Sequence, residues 1–191
     1  MNAVPEESVK SRIRNSCVPN DGNADATQIL LSQRGLKLAS LNINKLTTHI
    51  DELRILLANN DIDILSINET KLNTNTSNDE VHIPGYDIIR RDRVTNGGGG
   101  VCFYVKNAIN FTIRNDLHLD ALKHLCLEIR RLKSKPVVVV RWYRPPDASI
   151  GIFSSFEFLI GKLDSENVEN FVMGDLNCDM ISTEATTTRL N

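Results

Sequence analysis

Apolar positions are sparse in the first 35 residues, where Asn, Asp, Ser, Pro and Lys/Arg dominate and Ile29–Leu31 is the one apolar cluster. That pattern predicts a disordered or weakly structured leader over 1–35. From Leu36 the character changes. LKLASLN alternates as a strand does, and LTTHIDELRILLANN sets Leu46, Ile50, Leu53 and Leu57 at helical spacing. Thr48 and Asp51, three residues apart, fit a capping box at the start of that helix. IDILSIN is a further apolar strand, so residues 37–68 predict a β-α-β unit, the usual opening of a parallel or mixed sheet.

A polar loop, KLNTNTSNDE, and the turn Pro84-Gly85 lead to a strand from Tyr86 to Arg90. The tetraglycine Gly97 to Gly100 precedes the strand VCFYV and reads as a flexible turn beside the substrate face; no Gly-Lys-Ser/Thr follows, so it is not a phosphate-binding P-loop. HLCLEIRRL alternates as a half-buried strand, whereas PVVVVRWY reads as a strand buried on both faces. FSSFEFLIGKL puts Phe153, Phe156, Ile160 and Leu163 on one helical face, and NFVMGD closes the series as a short strand. The order is β-α-β, several strands, then β-α-β again. It predicts an α/β protein, a two-sheet (four-layer) α/β sandwich with outer helices, in one domain over 36–191.

Composition narrows the function classes. The 191 residues hold 22 Lys plus Arg against 24 Asp plus Glu, a formal net charge of −2, which excludes a polybasic nucleic-acid binder as a whole-chain description and leaves a local basic cleft open. No apolar run approaches the roughly 18 residues of a membrane helix, and the polar start has no apolar core for a secretory signal. The expectation is an intracellular protein, nuclear or cytoplasmic, without a membrane partner. Cys17, Cys102, Cys126 and Cys178 are scattered without metal-ligand spacing, and Cys102 and Cys126 fall inside apolar strands as small core residues.

The chemistry lies at the strand ends. LASLN ends at Asn42, ILSIN runs into Asn68-Glu69, VVVVRW into Tyr143, and FVMG into Asp175 with Asn177 two further on. Loops at the carboxyl ends of strands build the site in α/β sheets. Asn, Glu, Tyr and Asp on one rim make an oxygen-rich cluster that favours Mg²⁺, with Mn²⁺ possible, over zinc. One or two carboxylates beside amide and phenol donors suit a phosphate ester. Arg90, Arg91 and Arg93, and Arg144 next to Tyr143, are candidates for DNA phosphate contacts. The four histidines read as surface or packing residues.

The words LNIN, NETKL, GYDIIRRDR, GGGGVCFYV, YRPP and GDLNCD, in that order, resemble the endonuclease/exonuclease/phosphatase superfamily, and more narrowly the apurinic-endonuclease-like domain of non-LTR (LINE-type) retrotransposons. The resemblance covers about Leu36 to Asp179. It implies a sandwich of the DNase I-like type, and hydrolytic nicking of DNA that leaves a 3′-hydroxyl, which in retrotransposons primes a reverse transcriptase region of a longer polyprotein. It makes Glu69 the metal-binding glutamate and Asn42 the asparagine that orients it and the metal. Tyr143 matches the tyrosine that hydrogen-bonds the scissile phosphate, Asp175 the aspartate that positions or activates water, and Asn177 the asparagine that grips the phosphate.

The sequence departs from that pattern at its end. The family's closing Ser-Asp-His word is absent, and no His follows His124. The expectation is a domain incomplete at its C-terminus, lacking a quarter to a third of the usual length, with exposed edges and impaired activity. Two other readings stand beside the nuclease: a non-catalytic remnant binding nucleic acid or protein, and a phosphatase of the same superfamily acting on a small-molecule or lipid phosphate.

Overall fold

The computed structural model describes residues 35–93, 99–130 and 134–178. The expected leader lies outside these residues, apart from Gly35, as does the Thr-rich tail. Two four-stranded sheets form the centre. The first has the order β1-β2-β4-β3 and the second β5-β6-β7-β8. In the first, β1 (Leu38–Asn42) runs parallel to β2 (Ile64–Asn68), while β4 (Val101–Lys106) pairs antiparallel with both β2 and β3 (Tyr86–Arg91). In the second, β5 (Phe111–Ile113), β6 (Lys123–Ile129) and β7 (Val137–Tyr143) are antiparallel neighbours, and β8 (Glu169–Asp175) lies parallel to β7. Each parallel pair is joined through a helix, α1 (Ile50–Asn59) or α2 (Ile152–Ser165), as a parallel connection requires.

The period of two along each strand sorts side chains into three cores. Ile64, Phe103, Val105, Leu127, Ile129 and Val139 meet between the sheets. Their neighbours in sequence face outward: Leu65, Ile67, Cys102 and Tyr104 pack on Ile50, Leu53 and Leu57 of α1. Val138, Val140 and Trp142 pack on Phe153, Leu159 and Leu163 of α2. The expected four-layer α/β sandwich is the fold. Among the described residues no helix is long and apolar enough to cross a membrane. Cys102 and Cys126 are buried core thiols, each pushed up to about 12 by burial.

Several local expectations change. The helix starts at Ile50 rather than Leu46, because Leu46–Thr48 forms a separate 3-10 turn. No capping box forms: the Thr48 hydroxyl donates to Lys45 O at 2.8 Å, and His49 takes the cap position with its ring beside Glu52 at 2.8 Å. β6 is buried on both faces over most of its length because Cys126 packs into the α2-side core and Leu127 and Ile129 into the core between the sheets, while β5, a strand the sequence pattern did not suggest, pairs with its far edge. β1 and β8 are edge strands among the described residues, and Leu41, Phe171 and Val172 on them are exposed.

One ion-pair network braces the second sheet. Arg114, after β5, binds Asp116 (2.8 and 2.6 Å), Glu128 on β6 (3.0 Å) and Glu166 at the end of α2 (2.6 and 2.9 Å). The guanidinium holds the Asp116 and Glu166 carboxyls below their ordinary values. Their contribution is therefore complete above the ordinary carboxylate range and fades as pH falls through and below it. Arg114→Met is expected to lose about 1 kcal/mol at pH 7, the exposed Asp116 being screened by water. In urea titrations the gap from the parent chain should narrow between about pH 5 and pH 3; a gap constant with pH would show that Arg114 acts through packing.

Candidate active site

The parallel pairs β1-β2 and β7-β8 deliver their carboxyl ends to the same rim. Asn42 lies opposite Asn68, and Tyr143 opposite Asp175, in the two registers. Glu69, immediately past β2, is the meeting point: its Oε1 accepts from Asn42 Nδ2 at 3.1 Å and from Tyr143 Oη at 3.4 Å. Residues from three strands and from both sheets thus converge on one carboxylate oxygen. Tyr143 is 4% exposed, and burial, then the charges of Glu69 and Asp175, raise its phenol above the ordinary value. It stays protonated at neutral pH and can donate. Asp175 turns the chain as an Asx unit, its Oδ1 accepting from Asn177 N at 2.9 Å. Asn177 Nδ2 donates to Arg144 O at 2.7 Å, so part of its amide is spent on holding this loop.

The backbone here is unusual. Asn44 (φ 46°), Lys45 (97°), Glu69 (53°), Lys71 (53°) and Asn177 (43°) all occupy left-handed conformations that non-glycine residues seldom adopt. Such residues persist where surroundings over-determine them, and they concentrate at functional sites. The surroundings are visible. Lys45 N donates to Glu69 O at 2.9 Å and Leu46 N to Thr70 O at 2.9 Å, while Lys71 Nζ donates to Asn44 Oδ1.

The glycines close the other side: Thr70 N donates to Gly100 O at 3.2 Å and Lys71 N to Gly99 O at 3.0 Å. Gly100 has φ 81°, and a Cβ on it would stand 2.4 Å from Thr70 Oγ1. The expectation of a flexible turn is therefore corrected for Gly99 and Gly100, which are buried and clamp the Glu69 loop; Gly97 and Gly98 lie outside the described residues.

Beneath the rim lies a cleft of about 360 Å³ lined by Ser40, Asn42, Asn68, Arg141, Asp175 and Asn177, among others. Sequence reasoning passed over Ser40 and Arg141, and placed Asn68 at its strand end without giving it a role. A usable signal existed: in VVVVRWY the residues Val137, Val139, Arg141 and Tyr143 share one face, so a charge interrupts an apolar series one pleat below the tyrosine. Arg141 is 1% exposed, and burial lowers it to about 10, which leaves it cationic at neutral pH.

The expected DNA-contacting arginines are mostly occupied. Arg90 is paired with Asp92 (2.8 and 2.6 Å) and also reaches Asn78 and Asn73. Arg91 donates to Leu122 O at 2.7 Å, tying β3 to the segment before β6. Arg93 is half-buried, its backbone N–H donating to Leu72 O at 3.2 Å. Arg144 is 5% exposed and donates to the carbonyls of Ala148, Leu176 and Asn177, so it fastens the Asp175 loop to the turn after β7. His124 is buried with both ring nitrogens on the carbonyls of Leu117 and Leu122, which keeps it away from this rim. Among the described residues no group of three or more His, Cys, Asp or Glu is arranged to hold a metal ion.

Comparison with known proteins agrees with this arrangement. Residues 39–189 match the model of the Endonuclease/Exonuclease/phosphatase family. Comparison with curated protein sequences returns no match. Among solved structures, the fold is similar to the endonuclease domain of TRAS1, a telomere-specific non-LTR retrotransposon (TM-score 0.56, 15% identity, covering 79% of this chain and 65% of that one). It is also similar to the Xenopus laevis APE2 catalytic domain (0.58, 16%, 80% and 63%) and to the human Nocturnin catalytic domain (0.52, 14%, 78% and 65%). The chain spans 63–65% of the length of these neighbours. With the matching model covering most of the sequence and all four strand-end words of the rim, the chain belongs to the endonuclease/exonuclease/phosphatase family.

Proposed function

We propose that the rim hydrolyses DNA phosphodiesters with Mg²⁺ (or Mn²⁺), nicking one strand as in retrotransposon endonuclease domains. The observation that carries this reading is the convergence of Asn42, Tyr143 and Glu69 on one carboxylate oxygen, with Asp175 opposite Tyr143 in the strand register. The likeness to the endonuclease domain of the TRAS1 retrotransposon supports DNA as the substrate.

The residues fit a hard cation. Both hydrogen bonds to Glu69 fall on Oε1, which leaves Oε2 for a metal, and Asn42 fixes the carboxylate's orientation. A single carboxylate with amide oxygen nearby is a donor set Mg²⁺ accepts, since it keeps most of its water. When bound, the ion supplies positive charge to a phosphoryl oxygen. The chain's own groups do the rest. Tyr143 Oη turns its single proton from Glu69 Oε1 to a non-bridging phosphate oxygen, and the bond gains strength as charge builds there. Asp175, held at Oδ1 by Asn177 N, takes the proton of the attacking water at its other oxygen. Asn177 uses its remaining N–H toward the phosphate. Water adds to phosphorus, the bond to the 3′-oxygen breaks, and the products are a 3′-hydroxyl and a 5′-phosphate. The leaving 3′-oxygen takes its proton from solvent water. Arg91, Arg93 and Arg144 then act on DNA by shaping the rim more than by direct phosphate contact. A reverse transcriptase region would use the 3′-hydroxyl.

The test is conversion of supercoiled plasmid to open circle by the purified chain. Nicking that needs Mg²⁺ and stops in EDTA is the expected result. Folded protein that binds DNA but leaves the plasmid supercoiled at every metal concentration would assign the chain to binding instead.

A further inference from the structure

Arg141 poses a physical problem that the reading above does not use. Its Nη1 donates to Ser40 Oγ at 2.6 Å and its Nη2 to Leu41 O at 3.3 Å, while its buried Nε has no partner. None of the ion pairs among the described residues involves it. Asp175 is the one carboxylate whose charge acts on it, and only through space. A buried guanidinium without a paired anion is costly, and replacing such a charge by an apolar group usually stabilises a fold. Across the same cleft Asn68 Oδ1 is a buried acceptor with no donor. Two residues that each carry an unpartnered polar atom, Arg141 and Asn68, therefore line one cleft of about 360 Å³ together with Asp175, a space ample for a tetrahedral oxyanion and water.

We propose that this cleft is an oxyanion subsite for a phosphate monoester, with Arg141 as its charge and Asn68 as the acceptor for a P–OH proton. An internal phosphodiester has no such proton, whereas a terminal phosphate, with a second pKa near 6, carries it part of the time at neutral pH. The proposal rests on the hydrolytic reading for the source of the ligand alone: hydrolysis of a diester leaves a 5′-phosphate one pleat above Arg141. Arg141 is a binding residue for that product end, with its Nη1 held on Ser40 Oγ.

The experiment is ligand binding in phosphate-free buffer, followed by thermal shift and calorimetry on the full chain. Inorganic phosphate and a short 5′-phosphorylated oligonucleotide are compared with the same oligonucleotide ending in hydroxyls. Inorganic phosphate is expected to raise the melting temperature, and the 5′-phosphorylated oligonucleotide to raise it more than the hydroxyl-ended one, which engages the rim through its diesters alone. Arg141→Met should weaken phosphate binding by about tenfold or more while leaving the ligand-free melting temperature equal or higher; Arg141→Lys should bind in between. The Arg141 Nε–H resonance of the unaltered chain, protected by burial, should move on phosphate titration, which keeps the test open if Arg141→Met fails to fold. Equal phosphate affinity in Arg141→Met, or an Nε–H resonance that stays put, would overturn the subsite and leave Arg141 as a tie between sheets. Phosphate binding without plasmid nicking would uphold the subsite and sink hydrolysis; nicking without phosphate binding would do the reverse.

Discussion

Glu69→Gln is expected to abolish plasmid nicking while leaving the fold intact, a loss of at least about 10²–10³-fold. The substitution changes one thing. Gln has the same length, can keep Asn42 and Tyr143 on its Oε1, and bears the same left-handed backbone at φ 53°. Stability should therefore change by less than about 1 kcal/mol, the range of a substitution that leaves packing and backbone alone. What disappears is the negative charge that a divalent ion needs, on the oxygen that no neighbour occupies. Single-turnover nicking and thermal unfolding, run on the same preparation, separate the two effects. Nicking retained within a few-fold by a folded Glu69→Gln chain would show that this carboxylate is not the metal ligand, and the proposed chemistry would have to move elsewhere on the rim.

Gly174→Ala is expected to be the most damaging small substitution in the second sheet. Gly174 lies opposite Trp142 in the β7-β8 register, and a Cβ there would stand 1.8 Å from Trp142 O and 2.8 Å from Trp142 C. These are main-chain atoms of a central strand, so no rotamer change can relieve the clash. β8 must shift or peel away, and Asp175 moves with it. Overpacking that is relieved only by backbone shifts costs about 3 kcal/mol or more. For a domain of this size that corresponds to a fall of about 6–12 °C in melting temperature. Gly161→Ala supplies the contrast: Gly161 lies within α2 with open space around its would-be Cβ, so the change should stabilise by about 0.5–1 kcal/mol. Equal and small effects at the two glycines would mean that β8 tolerates displacement, and with it that Asp175 is loosely held.

Much of this molecule follows from short-range rules. The alternation in LKLASLN and IDILSIN and the helical spacing between them define the first parallel pair. VVVVRWY, the Phe153 helix and NFVMGD do the same for the second. The strand-end words place Asn42, Glu69, Tyr143 and Asp175 at carboxyl termini because a strand's last residue is fixed by where its apolar period stops. Those features are local, and one sequence suffices to read them.

Other features depended on what lay across the fold. Whether Thr48 caps the helix was decided by the 3-10 turn that Leu46 makes under the Glu69 loop, through hydrogen bonds spanning more than twenty residues. Whether HLCLEIRR is half-buried was decided by the layers on its two faces, α2 on one and the first sheet on the other, and β5, at three residues, is too short to show a period. Arg91 and Arg144 look like free cations in a sequence; their carbonyl partners are supplied by segments some thirty residues away. The same holds for Gly174, whose requirement is set by the Trp142 backbone on the neighbouring strand, and for Arg141, which becomes a buried charge once β1 closes over β7. The chain's own order thus determined which elements form and which residues end them, because dihedral preference and hydrophobic period act over a few residues. Tertiary structure alone decided which polar groups find partners and which stay orphaned, because that depends on the low-dielectric space that two sheets enclose when they meet.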